Sequence, residues 1–242
     1  MNLEEVLHFR RSVRLYDKNK PIDTAKVKHC LELATLAPNS SNMQLWEFYH
    51  ITNETTLKRL SHACLDQSAA TTASQMVVFV TRQDLHRKRA SEILKFEYEN
   101  ILKNSPPEKH KSRMAERRKY FKLVMPFLYT RFFGIPGLVR KMISFVIGFF
   151  RPMVRYVSEN DVRIVVHKSC GLAAQTFMIA MANEGYDTCP MEGFDARRVK
   201  KILNLSGRAE INMIISCGIR KDNLGIRGER FRIPFNKVYK EI

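Results

Sequence analysis

Apolar and polar positions follow one another in blocks along this chain, and the period changes from block to block. Residues 2–9 carry the spacing of a short helix. Between Pro21 and Pro38, Ala25, Val27, Cys30, Leu31, Ala34 and Ala37 recur near the helical period. Asp23 or Thr24 supplies the N-cap there, and Pro38 stops the pattern. WEFYHIT at 46–52 reads as a strand and ETTLKRLSHACL at 54–65 as a helix. QMVVFVT at 75–81, β-branched and uncharged, reads as a short buried strand. A charged helix is predicted from Gln83 to Lys103, where NSPPEKHKS breaks it with two prolines. Residues 166–186 are apolar nearly all round and rich in small side chains, which predicts a central buried helix capped near Gly185. A strand at YDT, a surface helix at DARRVKKILNL and a core strand at EINMIISCGI close the order. There is no regular βαβ rhythm and no internal repeat. The pattern predicts an α+β fold, a mixed sheet wrapped by helices.

Composition changes this picture in one place. The 242 residues suffice for a single domain with a real core. The net charge of +17 is unevenly spread, because residues 104–158 hold twelve Lys and Arg against only Glu108 and Glu116. The charge therefore belongs mainly to one insert-like region, and a nucleic-acid partner is not expected. Five scattered cysteines without a C-x-x-C pair suit free thiols in a reducing compartment. The opening MNLEEVLHFRRS lacks an apolar signal core, and the apolar runs of the insert are short for a membrane span. A cytoplasmic protein is expected, peripheral at the inner face of a membrane if the insert docks there.

The candidate chemistry begins at HFRRSVRLY. Arg10, Ser12 and Arg14 alternate, so in an extended segment they share a face that suits a phosphate; Arg11 lies between them. Taken alone, such a cluster is more often a solvated surface. APNSSNMQLWEF at 37–48 adds a polar turn able to offer amide groups to a heteroaromatic edge. CPMEGFD at 189–195 adds an irregular backbone whose N–H groups around Glu192 and Gly193 can face a ligand. RFRIPFN at 230–236 adds Arg230 and Arg232. No G-x-G-x-x-G is present, which argues against a Rossmann site. His8, His29, His50 and His62 share no metal-ligand spacing, so no metal is expected. HKSC at 167–170 admits a Cys/His nucleophile, but Cys170 opens a packed helix and reads better as an inert buried thiol.

RRSVRLY at 10–16, APNSSNMQLWEF at 37–48, CGLAAQTFMIAMANEGYDTCPMEGFD at 170–195 and RFRIPFN at 230–236, in that order, resemble the FMN-dependent nitroreductase family over about three-quarters of the chain, the basic insert excepted. The resemblance implies a single domain over 1–242 with a central, mainly antiparallel sheet. It also implies a domain-swapped type of homodimer with FMN at the subunit interface. Arg10, Ser12 and Arg14, helped by Arg230 and Arg232, would hold the phosphate and ribityl end, and Arg11 would present its backbone. Pro38, Asn39, Ser40 and Asn42 of the other subunit would line the ring. Pro190, Met191, Glu192 and Gly193 would lie along it, with an N–H near N5. NADH or NADPH would donate a hydride and a small-molecule acceptor, such as a nitroaromatic or quinone, would take it; no catalytic side chain is implied. The alternative is a flavin-binding or electron-transfer module without robust turnover. Two departures stand out. The family's Q-P-W is Gln44-Leu45-Trp46 here, and LDQSAATTAS at 65–74 lacks a lysine that several members carry, leaving Gln67 as an amide substitute.

The insert at 104–158 has three readings: a lid or dimer arm, a contact with an anionic membrane surface, or a solvated face over a core helix. The first is favoured because family members differ most in such excursions.

Overall fold

A computed structural model describes residues 1–242. The helices are α1 (Leu3–Phe9), α2 (Thr24–Ala34), α3 (Glu54–Ala63), α4 (Ser68–Thr71), α5 (His86–Asn104), α6 (Pro107–Lys119), α7 (Met125–Tyr129), α8 (Ile135–Ile147), α9 (Glu159–Asn183), α10 (Ala196–Ile202) and α11 (Phe235–Val238). The strands are β1 (Trp46–Ile51), β2 (Gln75–Thr81), β3 (Asp187–Met191) and β4 (Glu210–Gly218), in the order β1-β2-β4-β3. Every pairing is antiparallel. The one parallel contact is a bridge between Ser12 and Thr188 at the β3 edge.

Strand β2 shows why the sheet sits between two helical layers. Its side chains alternate faces. Val77 and Phe79 pack with Val27, Cys30 and Ala34 of α2 and with Ala174 and Phe177 of α9. Met76, Val78 and Val80 pack the opposite way, with Leu60 of α3, Ala69 of α4 and Val199 of α10. Both faces are buried, so the run needs no polar alternation. A third apolar cluster, from Met43 and Leu45 through Ile93, Phe121, Met125 and Tyr129 to Val162 and Val166, ties the insert to α5 and α9.

Helix α9 begins seven residues before the apolar block predicts. Ser158 and Asp161 form a reciprocal capping box that starts it, and its first turns carry Glu159, Asp161 and Arg163, which dilute the apolar pattern. At its other end Gly185 takes φ +76°, with Gly185 N–H donating to Ala182 O and Tyr186 N–H to Met181 O, a Schellman stop. By length and composition α9 could cross a membrane, but Cys170, Ala173, Phe177 and Met181 lie at the centre of the core.

The segment 10–17 runs between the β3 edge and the chain after β4. Val13 N–H donates to Thr188 O at 3.1 Å and Arg14 N–H to Gly225 O at 2.9 Å, while Lys221 N–H donates to Leu15 O at 3.1 Å. Val13 points into the core, which turns its neighbours Ser12 and Arg14 outward, and Tyr16 returns to the core at the end of the segment.

Candidate functional site

Two distant stretches of sequence build one basic hollow. Arg10, Arg11, Ser12 and Arg14 meet Arg227, Arg230 and Arg232 around a cleft of about 430 Å³. Glu229 is the one acid on its wall, and it forms an ion pair with none of the arginines. Asp187 anchors the floor. It is buried and accepts the Arg220 backbone N–H at 2.7 Å, the Arg220 Nε at 3.0 Å and Nη2 at 2.5 Å, while Nη2 also donates to Phe9 O at 3.2 Å. The Arg220 guanidinium also lies 4.5 Å from the Phe9 ring centre. This clamp fixes the end of α1, and with it the start of the arginine run.

The arginines divide into braces and free cations. Arg230 donates to the carbonyls of Leu7 (3.0 Å), His8 (2.9 Å) and Arg10 (2.6 Å), capping the C-terminus of α1. Its pKa is lowered first by burial and then by the neighbouring charges of Arg11, Arg232 and Arg10. Arg11 donates to Gly228 O at 2.9 Å and Arg232 to Phe231 O at 2.7 Å. The side chains of Arg10, Arg14 and Arg227 have no hydrogen-bond or carboxylate partner. Three unneutralised guanidiniums facing one hollow suit an anion with several acceptor oxygens.

The segment that carries Ser12 and Arg14 lies against the β3 edge, bridged from Ser12 to Thr188. Burial raises the pKa of Cys189, and the charges of Arg14 and then Arg10 pull it back, so both arginines act on the strand. Pro190 and Met191 are strand residues, not the irregular backbone the sequence predicts. An edge strand tolerates Pro190 because no partner needs its missing N–H. The irregular backbone starts at Glu192. The N–H groups of Glu192 and Gly193 donate to no protein acceptor, and both residues are exposed. Gln67 meets this turn, donating to Gly193 O at 2.7 Å and Cys64 O at 3.0 Å. Both amide N–H bonds are thereby used. Gln67 braces the loop and cannot serve as the donor that would replace a lysine.

Pro38, Asn39, Ser40 and Asn42 lie apart from the arginine cleft within one chain. Asn39 is spent on its own turn, its Oδ1 accepting Gln44 N–H at 2.9 Å, and Ser40 N–H donates to Ser169 Oγ at 3.3 Å. Ser41, Asn42 and Gln44 all have φ near +50°, a concentration of left-handed backbone that costs free energy and recurs at binding sites. A cavity of about 770 Å³ opens here, lined by Asn42, Gln44, Trp46, Phe48 and Phe96. Its Arg89 is already paired with Glu92 at 3.2 Å, so this larger cavity lacks the unbalanced charge of the arginine cleft.

Cys170 is fully buried, and burial pushes its thiol up to about 12. His167 turns away to Glu210 (3.1 Å) and Asn212 (3.2 Å), so no Cys/His nucleophile exists here. No three His, Cys, Asp or Glu side chains converge on a metal-sized site. The sequence reading missed Arg227 and the Asp187–Arg220 clamp. The three-residue step from Arg227 to Arg230 in GIRGERFR was a legible signal for the first. Nothing local marks the second, whose members stand thirty-three residues apart.

The profile of the nitroreductase family matches residues 7–219. MhqN of Bacillus subtilis, which carries a provisional NAD(P)H nitroreductase name, is 23% identical over 94% of this chain and 93% of its own. DrgA of Synechocystis is 25% identical over 98% and 95%. Among solved structures, a nitroreductase family protein from Streptococcus pneumoniae superposes with a TM-score of 0.69 at 20% identity, covering 100% of both chains. A structure from Exiguobacterium sibiricum, solved in complex with FMN, gives 0.68 at 22%, covering 100% of this chain and 98% of its own. At these identities the structural likeness establishes the fold.

Proposed function

The chain belongs to the nitroreductase family, and from that premise we propose that it is an FMN-dependent oxidoreductase. It takes a hydride from NADH or NADPH and delivers it to a small acceptor such as a nitroaromatic or a quinone. One observation carries the reading: Arg10, Arg14 and Arg227 point unneutralised into a hollow that Arg11, Arg230 and Arg232 complete. The residues fit the cofactor at both ends. Guanidiniums without a carboxylate suit its phosphate. The free N–H groups of Glu192 and Gly193 suit a polar ring edge, five residues or about 16 Å along the edge strand from Thr188.

When bound, FMN supplies hydride chemistry at N5 that no side chain offers. The chain's residues bind and orient. Arg10, Ser12 and Arg14 hold the phosphate and ribityl end, and Arg230 keeps the 7–10 backbone where they can do so. Arg232 adds charge to the same wall. Pro190 and the backbone of Met191, whose side chain is buried in the core, would hold the cofactor along the strand edge, and Gln67 holds the Glu192–Gly193 turn. Pro38, Asn39, Ser40 and Asn42 of a second subunit cover the ring in a homodimer. The C-terminal arm supports that assembly, because Phe231, Ile233, Phe235 and Val238 are exposed in the single chain.

The purified protein is expected to be yellow and to bleach when NADH or NADPH is added without oxygen. Yellow protein that does not bleach returns the function to a flavin-binding or electron-transfer module. Colourless protein that refuses added FMN overturns the proposal. Arg10→Ala together with Arg14→Ala should weaken FMN binding more than a hundredfold, at about 1.5–3 kcal/mol for each charged hydrogen bond. Full flavin occupancy in that double variant would count against the assignment.

A further inference from the structure

Helix α8 is built the wrong way round for a helix packed on a protein core. A surface helix ordinarily turns its apolar stripe inward. Here the buried positions are Gly137, Arg140 and Ser144, spaced three and four residues apart on one face. Arg140 donates to the carbonyls of Val157 (2.8 Å), Phe127 (2.9 Å) and Thr130 (3.1 Å), and Ser144 to that of Val154. At Gly137 a Cβ would stand 2.8 Å from Glu159 N, so only glycine lets the helix approach α9 so closely. The outward face carries Leu138, Val139, Met142, Ile143, Phe145 and Val146. The loop that follows extends it: Phe149 is 71% exposed, Phe150 85% and Tyr156 81%.

Charge says what covers this face. Residues 131–157 contain Arg131, Arg140, Lys141, Arg151 and Arg155 and no Asp or Glu. Arg131 pairs with Glu210, but Lys141, Arg151 and Arg155 have no carboxylate partner. A symmetric contact with a second copy would bring this patch against itself and set like charges together. An anionic surface is complementary to it. Thirteen helical residues span about 20 Å, short of the roughly 30 Å of a hydrocarbon core, so the helix suits the plane of an interface and not a crossing.

We propose that residues 131–157 are an in-plane docking element that seats its apolar face at the headgroup boundary of an anionic phospholipid bilayer, with Lys141 and Arg151 among the headgroups. The polar backing of the helix follows from this role, because Arg140 and Ser144 hold it to the body while the apolar side stays free.

The test uses the full-length, flavin-loaded protein and sedimentation with vesicles. Vesicles of phosphatidylcholine containing about one-third phosphatidylglycerol should carry the protein down at low salt, and pure phosphatidylcholine should carry much less. Replacing Leu138, Phe149 and Phe150 with Ser should reduce binding by roughly tenfold or more while leaving every cation in place. Lys141→Gln with Arg151→Gln should reduce it about fivefold per charge removed. Circular dichroism and flavin occupancy of the variants check that the fold persists. No binding of the wild type to anionic vesicles overturns the proposal. So does binding that survives the apolar triple variant, which would mean adsorption by charge alone. A triple variant whose oligomer is smaller by sedimentation velocity, with no vesicle binding in either form, assigns the face to a second copy and likewise overturns it.

Discussion

The arginine cleft and residues 131–157, a hairpin in which the chain after α8 folds back beside it at Ser144–Val154 and Arg140–Val157, are both strongly basic, yet they use their charge in opposite ways. In the cleft, Val13 and Tyr16 sink into the core while Arg10 and Arg14 of the same segment converge on a hollow with Arg227. Around α8 the guanidinium of Arg140 sinks instead and the phenylalanines face outward. The cleft is concave and polar, fit for a small anion. The hairpin is convex and apolar with a charged fringe, fit for a broad surface. Counting lysines and arginines cannot separate these cases; the neighbour of each cation decides.

The largest effect should come from the cleft's foundation. Asp187→Ala leaves Arg220 without its carboxylate in a half-buried site, and a loss of about 3–5 kcal/mol is expected in denaturant unfolding. Flavin retention should fall with it, since the clamp also holds Phe9. An unchanged unfolding midpoint would show that the cleft does not depend on this pair.

The hairpin's own anchor should matter less. Glu210 accepts from Arg131 at 2.7 Å, from Arg163, and from His167 at 3.1 Å, joining the start of the hairpin to β4 and α9. His167 first, then Arg131 and Arg163, hold its carboxyl well below the usual range against the opposing push of burial. A depressed folded-state pKa gives stability that is complete above the unfolded value of about 4.3 and lost as pH falls toward the folded one. The thermal unfolding temperature should therefore fall progressively below about pH 4. Glu210→Gln should remove about 2 kcal/mol at neutral pH and flatten that acid limb. A limb of unchanged steepness would assign the acid sensitivity elsewhere.

Gly137→Ala should cost about 1–3 kcal/mol, because the new methyl meets backbone and not a movable side chain. Smallest of all should be the outward apolar positions. Phe149→Ser or Phe150→Ser should change stability by no more than about 0.5 kcal/mol, since neither is buried. That pairing sharpens the comparison: the inward polar side of α8 carries its stability and the outward apolar side does not. A large loss from either serine variant would mean that the phenylalanines pack in solution.

Much of the fold was legible from periodicity. The continuous uncharged, β-branched run of QMVVFVT specifies a strand with two buried faces, and the small apolar residues of 166–183 specify a helix that neighbours can approach from all sides. The N-terminal turns of α9 were hidden because charge there answers to the cap and to Glu210, not to the core. The cleft was half legible. Alternation put Arg10, Ser12 and Arg14 on one face, but the spending of Arg230 on three carbonyls and of Gln67 on Gly193 depends on residues far away in the chain.

By itself the sequence determined which side chains share a face, because that follows from the local geometry of helix and strand. It determined as well the antiphase of Val13 with Ser12 and Arg14, and the block of residues that had to be central. Only the tertiary structure decided what each face meets. Whether an arginine ends free in a hollow, spent on a helix end or buried beneath a helix turned inside out is set by the few carbonyls and carboxylates within reach, and the fold brings those from 10 residues away for Arg140 and from 220 for Arg230.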